Sequence, residues 1–256
     1  MKKFLFSLVL ATAVLSVVQA QTVDEVLAKH MEAMGGKDKL ASLSSVYLES
    51  VAVRPNGDEV ITKTWKVHNQ AMRREIDFGM GKIVSIVTDK EGWSSNPRSG
   101  GKFEAMPAEM VQAQQGELDC AGPLIDPAAK GHKAELMGRE DVNGVSCHVV
   151  KLTTKSGREV TYFIDPNTYY VARMKMKGGM GMGMRSGAGA GGGNPNAQQA
   201  PPAQDREFVT DYSDYRKTPE GYVFPWTTTI VGMGASSNVE KLEVNKAADM
   251  SLFKPQ

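Results

Sequence analysis

Two hydrophobic rhythms divide this chain. The first occupies the opening segment, where side chains recur at helical spacing, at Val23, Val26, Leu27, His30, Met31 and Met34. From Ser45 onward the period shortens from about 3.6 residues to 2, which is typical of strands with one buried face. The pattern therefore predicts a short helical start followed by a β-rich body.

The helical start carries signals for its own beginning and end. Thr22 and Glu25 have the capping-box spacing, in which each side chain satisfies the other residue's free amide. Gly35-Gly36 supplies the stop, because glycine enters the left-handed cap conformation without steric cost. We expect a short helical turn at Asp38–Leu43 and a second helix at Pro107–Leu118, where proline suits a first helical position.

The rest of the chain alternates short apolar runs with turns. Pro55–Asp58, Val142-Asn143-Gly144 and Asp165–Asn167 carry the residues that favour tight turns. Short strands at regular spacing predict one meandering antiparallel sheet, so the expected fold class is mainly β. The expected strands are Ser45–Arg54, Glu59–His68, Met72–Phe78, Lys82–Thr88, Glu91–Asn96, His132–Gly138, Val145–Thr154, Arg158–Ile164, Tyr169–Met176, Arg206–Tyr215, Tyr222–Val231 and Asn238–Lys246.

Alternation within the strands assigns side chains to faces. In Met72–Phe78, the apolar Met72, Ile76 and Phe78 share one face, and Arg73, Glu75 and Asp77 point the other way. This is the pattern of a sheet with one wet and one dry side. Three further sets each share a face: Ile61, Trp65 and Val67; Val160, Tyr162 and Ile164; and Tyr222, Phe224, Trp226 and Ile230.

Residues 1–20 read as a signal peptide. Lys2 and Lys3 precede the apolar run Phe4–Val18, and Val18-Gln19-Ala20 ends it with residues that signal peptidase accepts. No cysteine follows the cleavage point, so we expect no lipid anchor. No later apolar stretch is long enough to span a bilayer. The expected location is the periplasm, with full secretion as the other destination.

One segment departs from the strand pattern. Residues 178–204 consist almost entirely of Gly, Met, Ala, Asn, Gln and Pro, which cannot bury enough apolar surface to offset their ordering entropy. We expect a disordered excursion inside one domain that spans 21–256. Its sulfurs at Met180, Met182 and Met184 suit Cu(I), but no histidine lies among them, which favours incidental composition over a copper site.

Charge and cysteine usage narrow the function classes. The mature chain would keep 28 of the 30 basic residues, because Lys2 and Lys3 leave with the signal peptide, against 29 acidic residues. This balance gives no electrostatic basis for binding nucleic acid. Cys120 and Cys147 are candidates for a disulfide in an oxidising compartment, and two separate buried thiols are the equal alternative. Their separation excludes a redox Cys-x-x-Cys pair.

Catalytic signatures do not occur in the sequence. It has no Gly-x-Ser-x-Gly elbow, no phosphate-binding loop and no His-Glu-x-x-His motif. The four histidines show no pair at metal-ligand spacing. Asp211 and Asp214 could pair as acid and base, but carboxylates on a strand surface are far commoner. We therefore expect neither an enzyme, nor a metal site, nor a cofactor.

The order of several short motifs resembles the LolA/LolB-like superfamily of periplasmic lipoprotein-carrier proteins, especially its lipoprotein-sorting-like members. The similarity spans nearly the whole mature chain except the Gly/Met-rich segment. The motifs that carry it are Ala33-Met34-Gly35-Gly36 with Leu40, Gly138–Gly144 leading to Cys147–Leu152, Tyr162–Pro166 leading to Val171-Ala172-Arg173, Gly221–Pro225 and Leu252–Pro255.

The resemblance implies an unclosed β-barrel, in which a strongly curved antiparallel sheet has helices over its concave face and acyl chains in the gap between them. The chain departs from true carriers in its long Gly/Met-rich segment, and from the anchored receptor branch in lacking an acylated cysteine. The residues that would line the hydrophobic cavity are Leu27, Met31, Met34, Trp65, Ile76, Phe78, Met110, Tyr162, Phe224 and Trp226.

The expected function is a periplasmic binding or carrier protein for a hydrophobic ligand, either a lipid or the acyl chains of a lipoprotein. We expect it to act as a monomer. One alternative is a non-catalytic envelope interaction or sensing module that has a filled groove and a protein partner. The other is a weak Met-rich copper binder.

Overall fold

The structure is a computed structural model that describes residues 21–177, 207–232 and 236–256. The expected signal peptide at 1–20 and the expected disordered segment at 178–204 both lie outside these ranges. So do Met180, Met182 and Met184. Met174 and Met176, by contrast, share one face of a strand, and Met174 is buried.

The first helix, α1 (Val23–Ala33), begins and ends as its sequence predicts. Thr22 and Glu25 exchange the two capping-box hydrogen bonds, each 3.2 Å long. At the other end the amide of Gly36 donates to the Met31 carbonyl, and Gly35 takes the positive φ that this cap requires. The chain then turns into α2 (Lys37–Ala41), which buries Leu40.

The third helix, α3 (Ala108–Gln114), continues as a 3-10 turn over Gln115–Leu118. Together they fill the range expected to be helical, with Pro107 as the residue before α3. Val111 and Leu118 are buried against the sheet. Two further 3-10 turns occur, at Pro97–Ser99 and Met250–Phe253.

Within the described ranges, thirteen strands form one antiparallel sheet with the order β6-β5-β4-β3-β2-β1-β13-β12-β11-β10-β9-β8-β7. The sheet is curved and open, as expected, and its first and last strands meet in the middle. The strands are β1 (Ser45–Val53), β2 (Glu59–Val67), β3 (Ala71–Asp77), β4 (Lys82–Thr88), β5 (Gly92–Ser95), β6 (Glu104–Ala105), β7 (Lys133–Val142), β8 (Val145–Thr153), β9 (Glu159–Ile164), β10 (Val171–Lys177), β11 (Glu207–Lys217), β12 (Val223–Ile230) and β13 (Ser236–Val244).

The strand bounds differ most from expectation at the two edges of the sheet. β7 runs on to Val142, four residues past the predicted end at Gly138, because its register with β8 shifts between Leu136 and Arg139. Gly138 takes a φ of 110° inside that bulge, which only glycine adopts without strain. The two-residue β6 at the opposite edge carries no alternation that could have predicted it.

The ladder between β12 and β13 is the shortest in the middle of the sheet. Its described pairs run only from Thr227 to Thr229, opposite Ser236–Asn238. Between Phe224 and Trp226, β12 has no partner in β13 within the described part of the chain. The amide of Val223 instead donates to the carbonyl of Met34, at the end of α1 (3.3 Å). Pro225, which has no amide hydrogen, therefore lies where no ladder bond to β13 is needed.

Candidate functional site

Strand register separates the two faces of the sheet. Lys66, Met72 and Val87 lie directly opposite one another on β2, β3 and β4, and Met72 and Val87 pack against Val111 and Leu118. This helix-covered side is the concave face. The neighbouring residues Trp65, Arg73 and Ile86 point to the convex face, because successive side chains of a strand alternate.

Helix α1 packs on the concave face over the second half of the sheet. Its Val26 and Leu27 are buried in one cluster with side chains of β8, β9 and β10, among them Tyr162. Met31 and Met34, further along α1, pack against a second cluster that contains Val46, Tyr222 and Val244. The helix therefore bridges two cores.

Five of the expected lining residues are thus packed side chains. Leu27 and Tyr162 belong to the first cluster, and Met31, Met34 and Phe224 contact the second. Leu27 and Tyr162 are buried, and Met31, Met34 and Phe224 are half-buried. They form the walls of the concave face rather than an open lining.

Four others lie outside the packed clusters. Ile76 is buried on the concave face of β3, and Trp226 is half-buried on the same face of β12, beneath the guanidinium of Arg216 (5.2 Å to the ring centroid). Met110 on α3 is 38% exposed. Phe78 follows β3 at the strand end, with its ring 5.1 Å from the guanidinium of Arg54.

Trp65 was assigned to the wrong face. Its ring lies 5.1 Å from that of Tyr47 and packs on the convex face with Ala71, Ile86 and Phe253. The prediction failed because the C-terminal segment covers this part of the convex face, so both faces of β2 carry large apolar side chains. Alternation alone could not decide which of the two faced the helices.

A set of apolar side chains on the concave face belongs to none of the packed clusters. Thr62 and Ser50 interrupt it on β2 and β1, where they stand in the row between Ile76 and Val239. We call it the apolar stripe; it runs from β4 across the centre of the sheet to β12. All its members are half-buried except Ile76, which is buried. Its members are Leu48, Ile76, Ile83, Trp226, Ile230 and Val239.

A polar row, which the sequence analysis missed, crosses the concave face beside this stripe. Thr64, Arg74, Ser85 and Ser94 lie directly opposite one another on β2 to β5. The Nη2 atom of Arg74 donates to Glu117 on the 3-10 turn after α3 (2.8 Å). A lysine or arginine at an inward position of an alternating strand is the signal that could have found it.

The charged groups beside the polar row shift one another's pKa values. Burial raises the pKa of Glu117, but Arg74 and Lys66 outweigh that effect and hold the pKa below its usual value. Burial lowers the pKa of Lys66, and the nearby Glu117 only partly opposes this. The Lys66 side chain is therefore buried with only partial compensation from neighbouring carboxylates.

The two cysteines do not form a disulfide. Cys120 packs against the second cluster on the concave side, whereas Cys147 is fully buried with Val149 and Phe163 on the opposite face. A sheet separates the two sulfurs, and a disulfide requires Cα atoms within about 7 Å. The structure therefore has two separate thiols, of which Cys147 is buried and Cys120 is half-buried. Burial raises the pKa of Cys120 to about 11, so this thiol stays protonated.

The histidines have structural partners. His30 is buried, and its Nδ1 atom lies 2.7 Å from the carbonyl oxygen of Tyr169. His148 is buried beside the Tyr169 ring, with a centroid distance of 6.3 Å. Over the described ranges, no group of three or more His, Cys, Asp or Glu side chains is placed to hold a metal ion.

Asp211 and Asp214 are both in ion pairs rather than in an acid–base pair. Asp211 accepts hydrogen bonds from Nε and Nη2 of Arg173, and Asp214 accepts two from Arg216. Each carboxylate is matched by its own guanidinium across or along the strand. This arrangement is that of surface ion pairs on a sheet.

One open hollow of about 800 Å³ lies beside the turn between α1 and α2. Its lining is largely polar and charged, with Glu32, Lys39, Ser42, Glu220 and Asn245 among its residues. Such a surface does not suit an acyl chain. No helix in the described part of the chain is long and apolar enough to cross a bilayer.

Comparison with solved structures identifies proteins of similar fold. A DUF1329 family protein from Desulfovibrio piger matches 91% of this chain and 98% of its own, with 12% identity and a TM-score of 0.53. A LolA superfamily protein from Nitrosomonas europaea matches 92% and 98%, with 12% identity and a TM-score of 0.54. An outer membrane lipoprotein-sorting protein domain from Vibrio parahaemolyticus matches 90% and 97%, with 10% identity and a TM-score of 0.50.

These similarities show that the chain has a LolA-like fold over about nine-tenths of its length. No protein-family model matches the sequence. No curated protein matches it either.

Proposed function

We propose that this protein is a periplasmic carrier that binds a hydrophobic ligand, a lipid or the acyl chains of a lipoprotein, along the apolar stripe of its concave face. The LolA-like fold supports the proposal, since two structures that share it are described as a LolA superfamily protein and a lipoprotein-sorting domain. The ligand replaces the packing partners that the stripe lacks. The protein contributes no covalent chemistry.

The observation that carries the proposal is the apolar stripe itself. Ile76 and Trp226 stand on a face that helices cover, yet neither packs into the clusters that hold those helices in place. Burial of apolar surface contributes about 25 cal/mol per Å², so an acyl chain laid on this stripe binds with useful affinity. The unpacked stripe is therefore a surface that a flexible chain can cover.

The position of the three tryptophans allows a direct test. Trp226 lies on the concave face, whereas Trp65 and Trp93 pack together with Phe253 on the convex face. Bromine quenches indole fluorescence only at contact. We expect a brominated fatty acid to quench the delipidated mature protein, and to quench a Trp65→Phe/Trp93→Phe variant by a larger fraction.

Trp226→Phe is the matched control, since it keeps the apolar surface and removes the reporter. We expect it to bind the same ligand, as followed by native mass spectrometry, while losing most of the quenching. Quenching that persists in Trp226→Phe would place the ligand elsewhere. A wild-type protein that takes up no acyl probe, and that leaves its own periplasm without a co-purifying hydrophobic mass, would end the carrier proposal.

A further inference from the structure

The concave face is not uniformly apolar. The polar row of Thr64, Arg74, Ser85 and Ser94 lies between the apolar stripe and the cluster of Met72, Val87, Val111 and Leu118. Ile76 of the stripe stands two residues along β3 from Arg74, a spacing of about 7 Å. A polar band between two apolar regions needs an explanation, because burying polar groups costs free energy.

Lys66 stands beside this row on the same face. It lies directly opposite Met72 on one side and Val46 on the other, both of which are buried. Its ammonium makes no hydrogen bond or ion pair with any described residue. Glu117 and Asp119 are the carboxylates that act on it. Glu117 is already hydrogen-bonded to Arg74, and Asp119 already pairs with Lys130. The region therefore has an excess of positive charge.

Ser85 gives a second, independent observation. It lies opposite Arg74 on β4, and its Oγ atom is buried without a hydrogen-bond partner within the described ranges. A buried hydroxyl without a partner is uncommon in a folded protein, because its lost hydrogen bonds to water are not replaced. Among the described residues, Arg74 itself donates only from Nη2, to Glu117 and to the Met72 sulfur. Donors without acceptors are thus grouped at one place.

We propose that Lys66, Arg74 and Ser85 form a head-group site that binds the anionic head of an amphiphile whose chain lies on the apolar stripe. This inference rests on the proposed function and specifies its ligand class. The ammonium of Lys66 supplies the counter-charge, the free nitrogens of Arg74 donate towards the anion, and the Ser85 hydroxyl gains the acceptor that it lacks. Neutral lipids gain nothing from this site.

The site suits a carboxylate or phosphate head and no other part of a lipid. Each of its three groups can donate a hydrogen bond, and charge-assisted hydrogen bonds are roughly twice as strong as neutral ones. Glu117 accepts a hydrogen bond from Nη2 of Arg74 and so offsets the charge of that guanidinium. An anion is the only common head-group chemistry that these donors match.

The test compares lauric acid with lauryl alcohol, which share one chain and differ in the charge of the head. The proteins are the delipidated mature wild type, Lys66→Met and Lys63→Met. Lys63 is the matched control, because it stands on the same strand but faces the convex side, where its ammonium lies 3.6 Å from Glu49. Affinities are measured by calorimetry, and circular dichroism checks the fold.

We expect Lys66→Met to weaken lauric acid binding about tenfold, the loss of one charge-assisted hydrogen bond, and to leave lauryl alcohol binding unchanged. Lys63→Met should bind both as the wild type does. Ser85→Ala should weaken lauric acid binding by a smaller factor, again without affecting the alcohol.

Three results would overturn the inference while the carrier proposal stands. One is equal binding of acid and alcohol by the wild type, another is unchanged acid binding by Lys66→Met, and the third is an equal loss of both ligands in that variant. A wild type that binds neither ligand would instead overturn the proposed function, and the head-group site with it.

Discussion

At the scale of single residues, His30 shows how a buried titratable group makes stability depend on pH. The side chain is only 4% exposed, and its Nδ1–H donates to the Tyr169 carbonyl. Burial lowers the pKa of His30 below its ordinary value of 6.5, and the hydrogen bond to Tyr169 only partly opposes this shift. The folded protein therefore holds His30 neutral at a pH where the unfolded chain would bind a proton.

The sign of the pH dependence follows from linkage. Below pH 6.5 the unfolded state binds more protons at this site than the folded state, so the free energy of unfolding falls as the pH is lowered, by up to about 1.4 kcal/mol per pH unit. His30→Asn keeps a donor near the Nδ1 position and removes the titration. We expect urea denaturation at pH 7 and pH 5 to show a smaller loss of stability in the variant. An identical loss in both proteins would refute the assignment.

Neighbouring residues on β2 mark what the sequence could and could not predict. Alternation correctly placed Trp65 with Val67, but it could not say that this set faces away from the helices, because the packing of Phe253 on the convex face depends on distant parts of the chain. The same alternation places Lys66 on the opposite face. The inward position of Lys66 follows from the sequence alone. Its place beside Arg74, two residues along β3 from its own partner Met72, became apparent only from the register.

At the scale of elements, local signals were the most reliable. The capping box of Thr22 and Glu25 and the glycine stop of α1 are each decided by a few adjacent residues, and the structure has both. The bulge in β7 was missed because it depends on pairing with β8, which no local pattern encodes. The sequence likewise could not predict which strands each helix covers, because that depends on tertiary packing.

The capping box yields a stability prediction. Thr22→Ala removes the oxygen that accepts from the Glu25 amide, leaving that amide to be satisfied by solvent. We expect the free energy of unfolding to fall by about 1 kcal/mol in chemical denaturation. Thr22→Ser, which keeps the hydroxyl, should lose less than half as much. An alanine variant as stable as the wild type would show that the start of α1 contributes nothing to folding.

At the scale of the whole molecule, the two faces of the sheet differ in how they are covered. Phe253, near the end of the chain, is 4% exposed and packs on the convex face against Ala71, Val84 and Ile86. The Leu252 carbonyl beside it accepts a hydrogen bond from Arg73 (2.9 Å). The convex face is thus closed by the chain's own terminus, whereas the concave face keeps its unpacked stripe.

This division predicts that a substitution on the convex face lowers the stability of the protein without changing its affinity for the ligand. Phe253→Ala should lower the free energy of unfolding by about 3–5 kcal/mol, the usual cost of emptying a buried aromatic site. Below its melting temperature the variant should still bind lauric acid with wild-type affinity. Phe253→Leu, which keeps most of the volume, should recover most of the stability. Impaired binding in a folded Phe253→Ala protein would show that the two faces are coupled.

The three-pair ladder between β12 and β13 has a mechanical consequence. Strands β7 to β12 and strands β13 with β1 to β6 form two leaves, and within the described residues that ladder is the only strand pairing that joins them. Met31 and Met34 pack where the two leaves join. Their unbranched side chains can change conformation there without disrupting the core. A wider ligand would therefore change the angle between the two leaves. The same fold could in this way bind ligands of different width.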